Sequence, residues 1–341
     1  PWNSGRKYWI SGWYEPLDKF IDDDTMTNAD FDHDDFFGWA QQASSYDGQV
    51  AGLTINAATF MLFYRDDLFQ EYGVKPPETL DELMDAAKQL TLDTDNDGKT
   101  DIYGFTARGK AGHGEALWGC FLRNMGGQWL DESRDPVFNE EGGAESLEYF
   151  ATLVQNYGPP GVANYGWQES LALFNDGKAA MIMDASPLFA NMIDPKQSKV
   201  HEHVKALIQP EGPAGNYPTV HGWTLNMSPF SKNKEAAWLF MQWYSSKEMY
   251  KYAYSNGFPT PRKSAWNQPN AKEMAPEPTW YDATLASFEI GGFWIIPIVV
   301  AGAEVRKEIG PAVSSALEGA DNYQGLLDNA ADRVKNIMEK T

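Results

Sequence analysis

Cysteine is nearly absent from this chain. Only Cys120 occurs in 341 residues, so no intrachain disulfide can hold the fold. Its neighbours Trp118, Phe121 and Leu122 predict a buried, inert thiol rather than a nucleophile. Long apolar runs are also absent. The longest extends only from Phe293 to Ala303 and contains Pro297, short of the roughly 20 residues that span a bilayer. Positive charge is scarce: 27 Lys and Arg against 48 Asp and Glu leave a net charge of −21. Such a polyanion is repelled by nucleic acid and anionic lipid, which removes both from the expected partners.

Cofactor and catalytic signatures are missing as well. No GxGxxG, HExxH, CxxC or GxSxG occurs. Gly98-Lys99-Thr100 resembles the end of a phosphate loop, but Asp93 stands where the upstream glycine belongs, and the aspartates around it would repel a phosphate. His201 and His203 lack a third ligand nearby and read as surface histidines. No motif announces a facing pair of glycosidase carboxylates. With 48 acids available, a secreted glycosidase stands as the alternative to a binding protein.

What the chain does hold is aromatic and glycine-punctuated. Aromatics make up 14% of residues, including 13 Trp, more than a core alone calls for. The length suits about two domains, each with its own core. The stretch from Gly104 to Asp131 (GFTARGKAGHGEALWGCFLRNMGGQWLD) reads as a shaped loop leading into a helix near Ala116–Met125. It presents Arg108, Lys110, His113, Glu115 and Trp118. These are directional partners for hydroxyls and an apolar plate for C–H faces, the mixture a sugar or sugar alcohol needs.

Elsewhere helices and short strands alternate, which argues for an α/β architecture. A strand is expected over 49–55, then the small-residue step Asn56-Ala57-Ala58-Thr59 as a crossing between lobes, then an apolar run over 61–68. Thr79 and Glu82 have capping-box spacing ahead of the helical period Leu80, Leu83, Met84, Ala87 and Leu90. Further helices are expected over about 145–156, 234–256 (ended by Gly257) and 323–340, with strands over 179–183, 204–208 and 220–227. Asp93, Asp95, Asp97, Lys99 and Asp101 follow the front of a calcium loop. Gly104 stands where the bidentate Glu of an EF-hand belongs, so a simpler Asp-rich turn is the candidate structural Ca²⁺ site. No other cofactor is expected.

Seven stretches, in order, resemble the solute-binding proteins of ABC-type sugar importers, the maltose-binding-protein-like superfamily. They are residues 11–21 (SGWYEPLDKFI), 63–83 (FYRDDLFQEYGVKPPETLDEL), 95–105 (DNDGKTDIYGF), 125–131 (MGGQWLD), 174–184 (FNDGKAAMIMD), 231–248 (SKNKEAAWLFMQWYSSKE) and 257–265 (GFPTPRKSA). RGKAGHGEALW, with residues 157–174 (YGPPGVANYGWQESLALF), looks most like the subgroup that takes up sugar alcohols. The resemblance implies two α/β lobes hinged around a central cleft, the periplasmic-binding-protein type II arrangement. Lobe one would comprise 1–58 and 225–275; lobe two, 59–224 and 276–341. Lobe one of that family begins with further β-α units, so the resemblance implies an N-terminally incomplete chain.

It also implies a monomeric, non-enzymatic protein outside the cytoplasm, periplasmic or extracellular, with lipid anchoring left open. Such a protein would capture a polyol or small sugar and deliver it to a membrane permease. By this resemblance Trp2 and Asn3 fall among the cleft residues of lobe one, and Asn56 and Thr59 on the first crossing. Arg108, His113, Glu115 and Trp118 fall in the loop facing the ligand, Gly222 and Trp223 on the second crossing, and Arg262 in a Pro-Thr-Arg-like turn. Phe293 or Trp294 would be the late aromatic that closes the cleft. Asp184 matches a turn that usually carries a stacking Trp; here Asp184-Ala185-Ser186-Pro187 lacks it, which favours a small polyol over an oligosaccharide.

Overall fold

The computed structural model describes residues 4–293 and 295–340. It is organised around one long strand, β1 (Leu53–Arg65). Threonines, isoleucine and aromatics suit its sequence to a pleated surface buried on both faces, and most of its positions are buried. Three strands pair with it, all antiparallel. β2 (Met181–Ala185) and β3 (Val204–Leu207) flank its second half. β4 (Val220–Leu225) pairs with its first half, from Leu53 opposite Leu225 to Thr59 opposite Val220. The expected crossing at Asn56–Thr59 is therefore no break between two runs. The chain passes straight through it as strand, with Ala57 opposite Gly222 and Ala58 opposite His221. The expected strand over 49–55 divides: Gln49–Val50 pairs with Ser45–Tyr46, and β1 begins at Leu53.

Alternation along β1 sends its two faces into different cores. Ala58, Phe60, Leu62 and Tyr64 join the largest cluster, which is covered by the long helices α1 (Leu80–Gln89), α2 (Gly114–Asn124), α3 (Gly143–Tyr157), α8 (Gly302–Leu317) and α9 (Tyr323–Met338). Ala57, Met61 and Phe63 join a second cluster that includes Leu171 and Phe174 of α4 (Trp167–Asn175) and Trp280 and Phe288 of α7 (Pro278–Ile290). A third gathers Leu17, Phe20, Phe31, Leu53, Met227, Trp238 and Met241.

The capping box at Thr79 is formed: Glu82 N donates to Thr79 Oγ1 at 3.2 Å, and Thr79 N donates to the Glu82 carboxylate at 3.1 Å. The single helix expected over 234–256 is two, α5 (Lys234–Tyr244) and α6 (Lys247–Ser255). Ser246 breaks it, since its hydroxyl accepts from Met249 N and caps a new helix. Gly257 ends α6 at φ +78°, as the sequence suggests. Cys120 is fully buried, and burial pushes its thiol up to about 12. Among the described residues no helix is long and apolar enough to cross a membrane.

Candidate functional site

The β1–β4 ribbon sets the site by register. Asn56 stands opposite Trp223 and Ala58 opposite His221. Directly opposed residues of an antiparallel pair share a face, and so do residues two apart. Asn56, Ala58 and Phe60 thus line one face of β1, with Trp223 and His221 beside them. Gly222, between the two rings, allows the strands to approach: a Cβ there would lie 2.5 Å from the Asn56 carbonyl oxygen. At the far end Phe60 and His221 stack at 5.5 Å, and the Arg108 guanidinium lies over the Phe60 ring at 5.3 Å.

Two arginine–carboxylate pairs cap this end. Arg108 Nε donates to both Asp184 oxygens at 3.0 Å, and its Nη2 donates to Oδ1. Asp184 is fully buried on β2, while the Arg108 side chain keeps 15% exposure, so of the two partners only Arg108 is left to meet a solute. Glu115, also fully buried, accepts from Arg306 Nε and from Gly112 N at 3.0 Å, and Arg306 Nη2 donates to the Gly112 carbonyl. Two guanidinium groups and two carboxylates sum to zero charge. A neutral pair of this kind suits an uncharged solute, with the arginines rather than the buried carboxylates left to face it.

The neighbouring imidazoles are held neutral. Burial, then the charges of Arg108 and Arg306, push His221 down to about 3. His113 is lowered by burial and by the same two arginines, against an opposing pull from Glu115. Neither imidazole therefore adds a positive charge beside the two guanidinium groups in the neutral range.

The sequence-predicted residues divide sharply. Arg108, Asp184, Glu115 and His113 come together, with Asn56 and Trp223 further along the ribbon. Asn56 and Trp223 also line a cavity of about 630 Å³ with Tyr244, Tyr252 and Phe258. Trp223 is half exposed. Trp118 is not an aromatic plate for a ligand. It points into the core from α2, its Nε1 donates to Ser146 Oγ at 2.9 Å, and its ring meets Trp129 edge-on at 5.3 Å. Arg262 is equally withdrawn. It is fully buried, donates to the Ser245, Asp32 and Phe31 carbonyls at 2.7 Å each, and lies over Phe36 at 4.2 Å.

Thr59 faces the other side of β1, buried, its N–H donating to Ser186 Oγ at 3.1 Å. Phe293 packs partly buried against the second cluster. Trp2, Asn3 and Trp294 lie outside the described residues. Phe60, His221 and Arg306 are site residues the sequence reading did not pick out.

Away from the ribbon, Asp93, Asp95 and Asp101 bring one oxygen each within 4.8 Å of one another. Asp97 turns instead toward Lys99, its carboxylate 2.9 Å from Nζ. Three of the five residues of the candidate Ca²⁺ set thus share a focus, and Lys99 has only its main-chain carbonyl to offer a cation.

Residues 4–251 match the model of the bacterial extracellular solute-binding proteins. The mannitol-binding protein of Pseudomonas aeruginosa is 32% identical over 241 residues, which cover 69% of this chain and 52% of that protein. The chain thus spans about half the length of that curated relative. Among solved structures, a solute-binding protein of an ABC transporter from Agrobacterium radiobacter K84, in complex with ribitol, superposes with a TM-score of 0.86 at 29% identity. That match covers 98% of this chain and 83% of the other. One from Agrobacterium vitis S4 with bound D-mannitol gives 0.83 at 28% identity, over 99% and 83%. The fold is the two-lobed, maltose-binding-protein-like α/β arrangement. Because that family's model matches well over half of it, the chain belongs to the bacterial extracellular solute-binding proteins.

Proposed function

We propose that this chain captures an uncharged polyol, or a small sugar, over the β1–β4 ribbon and hands it unaltered to the permease of an ABC importer. The observation that carries the reading is the charge-neutral pairing of Arg108 with Asp184 and of Arg306 with Glu115 beside the Phe60–His221 stack. Relatives that hold ribitol, mannitol, and erythritol or L-threitol support the polyol class. The ribbon serves as two of the hinge strands. Lobe one comprises 1–58 and 225–275, and lobe two 59–224 and 276–341, with a third crossing near 274–281. Ligand contacts from both lobes shift an open–closed equilibrium by no more than the ligand's differential affinity for the closed form. The protein acts as a monomer outside the cytoplasm.

An enzyme is disfavoured by the same geometry. Glu115 and Asp184, the buried carboxylates at the site, are each held by an arginine and so are poorly placed to deliver a proton to a glycosidic oxygen. The reading is tested with a thermal-shift panel of four- to six-carbon polyols, monosaccharides, a polyamine and a glycerophosphodiester. One or a few neutral polyols should raise the melting temperature. A shift confined to the charged solutes would overturn the reading, as would release of product from a chromogenic glycoside.

A further inference from the structure

We propose that one face of α8, formed by Arg306, Gly310 and Ser314, positions the glycine loop 109–112 and thereby sets which polyol the site prefers; this rests on the polyol reading above. The three residues are four apart, so they form a single ridge on the helix, and each touches the loop. Ser314 Oγ donates to the Gly109 carbonyl at 2.9 Å. At Gly310 a Cβ would lie 3.1 Å from Gly112 N and 3.2 Å from Ala111 Cα, so loop backbone rests directly on helix backbone. Arg306 donates to the Gly112 carbonyl and to Glu115, whose other oxygen accepts from Gly112 N at 3.0 Å.

The opposite side of the loop is fixed as well. Gly109 N and Lys110 N both donate to the Tyr165 carbonyl at 3.0 Å. Gly112 takes φ +89°, which an L side chain rarely adopts. The loop ends on Arg108 at one side and His113 at the other. A shift of a few tenths of an ångström in the loop therefore changes the spacing of those two groups. That spacing is what a linear ligand of four, five or six carbons would sense. Arg306 acts in this scheme as a positioning residue, through Gly112 and Glu115.

The test compares wild-type full chain with Arg306→Met, Arg306→Lys, Gly310→Ala and Ser314→Ala. Affinities for erythritol, ribitol and mannitol are measured by calorimetry, amide exchange is followed at Gly109–Gly112, and apo melting temperatures are recorded. Gly310→Ala is the sharpest variant, because alanine favours the helix and a change can only come from the crowded loop. Arg306→Met and Gly310→Ala should speed exchange at Gly109–Gly112 and change the affinity ratio between best and worst polyol at least fivefold. Arg306→Lys should recover part of that change, and Ser314→Ala should change it less. Equal weakening toward all three polyols, or loop exchange at the wild-type rate, overturns the proposal. If Arg306→Met fails to fold, Gly310→Ala decides alone. If wild type binds no polyol, the functional reading falls, and loop exchange still decides the positioning.

Discussion

Arg108 and Arg262 are both largely withdrawn from water, yet their surroundings differ in kind. Arg262 is fully buried, and its donors meet three backbone carbonyls and Asp35 while its plane rests on Phe36 and Phe31. Each of its three nitrogens donates to fixed protein and the side chain is fully buried, so it cross-links the segment around Phe31–Asp35 to Ser245 and leaves nothing for a ligand. Arg108 meets one carboxylate and one ring, and its side chain keeps some exposure. A guanidinium whose partners are backbone carbonyls staples a fold. One whose partner is a carboxylate at the edge of a strand face can exchange part of its hydrogen bonding with a solute.

The largest effect expected from this comparison is on stability. Arg262→Met leaves Asp35 and three carbonyls short of a partner and should cost about 3–5 kcal/mol, measured by urea unfolding. Polyol affinity of the folded variant, measured well below its melting temperature, should stay within about twofold of wild type by the same argument. A large loss of affinity with little loss of stability would place Arg262 in the site and break the contrast.

Asp184→Asn tests the other side. It keeps the shape of the carboxylate but removes the charge that orients Arg108. Hydrogen bonds to charged groups are worth about 1.5–3 kcal/mol, so polyol affinity should fall roughly ten- to hundredfold by calorimetry. An unchanged dissociation constant would make the Arg108–Asp184 pair a structural staple of the Arg262 kind.

The sequence could not separate these two arginines, because the distinction depends on partners far along the chain. Asp184 lies 76 residues from Arg108, and Asp32 lies 230 from Arg262. What it did reveal was local. The Gly-rich loop announced itself through glycine, the helix after Thr79 through its capping box, and the buried Cys120 through its neighbours.

The resemblance puts Trp118 in the ligand-facing loop, although Leu117 with Phe121 and Trp118 with Leu122 show in the sequence the four-residue spacing of a helix packed on its core. His221 could have been found once Trp223 was chosen, since strand alternation puts both on one face. Thr59 and Phe60 fall on opposite faces of β1, and only the pairing with β4 fixes which face carries His221 and Trp223. Arg306 gave no signal. In AGAEVRKEIG it reads as one more solvated charge on a helix, and its partners are 191 and 194 residues away.

His221 sharpens the comparison through pH. Its folded-state value is depressed from 6.5 to about 3 by burial and by Arg108 and Arg306. The unfolded chain therefore takes up a proton below about pH 6.5 that the folded chain refuses. The neutral imidazole contributes stability that is fully present above pH 6.5 and is lost as pH falls toward 3, at up to about 1.4 kcal/mol per pH unit. His221→Gln should flatten that limb of the stability profile, read from urea midpoints between pH 7 and 4. An unchanged slope would mean that burial, with the two guanidinium groups, does not keep this imidazole neutral.

Carboxylates divide in the same way as the arginines, and this gives the smallest effect. Glu115 and Asp184 are neutralised by guanidinium groups, whereas Asp93, Asp95 and Asp101 are exposed and accept mainly from backbone amides and Thr94. Amide donors orient a carboxylate without cancelling its charge, so three oxygens at one focus would suit a hard cation, and added Ca²⁺ tests whether they bind one. With a dissociation constant on the order of 3 × 10⁻⁴ M, as in extracellular calcium modules, about 1 mM Ca²⁺ would stabilise the chain by about 0.9 kcal/mol. For a chain of this length that corresponds to a rise of about 1 °C in melting temperature. The rise should vanish in Asp95→Asn and leave polyol affinity unchanged, since the loop and the ribbon share no residue. A Ca²⁺-dependent polyol affinity would couple the two regions and show that the acidic turn does more than tie its own ends together.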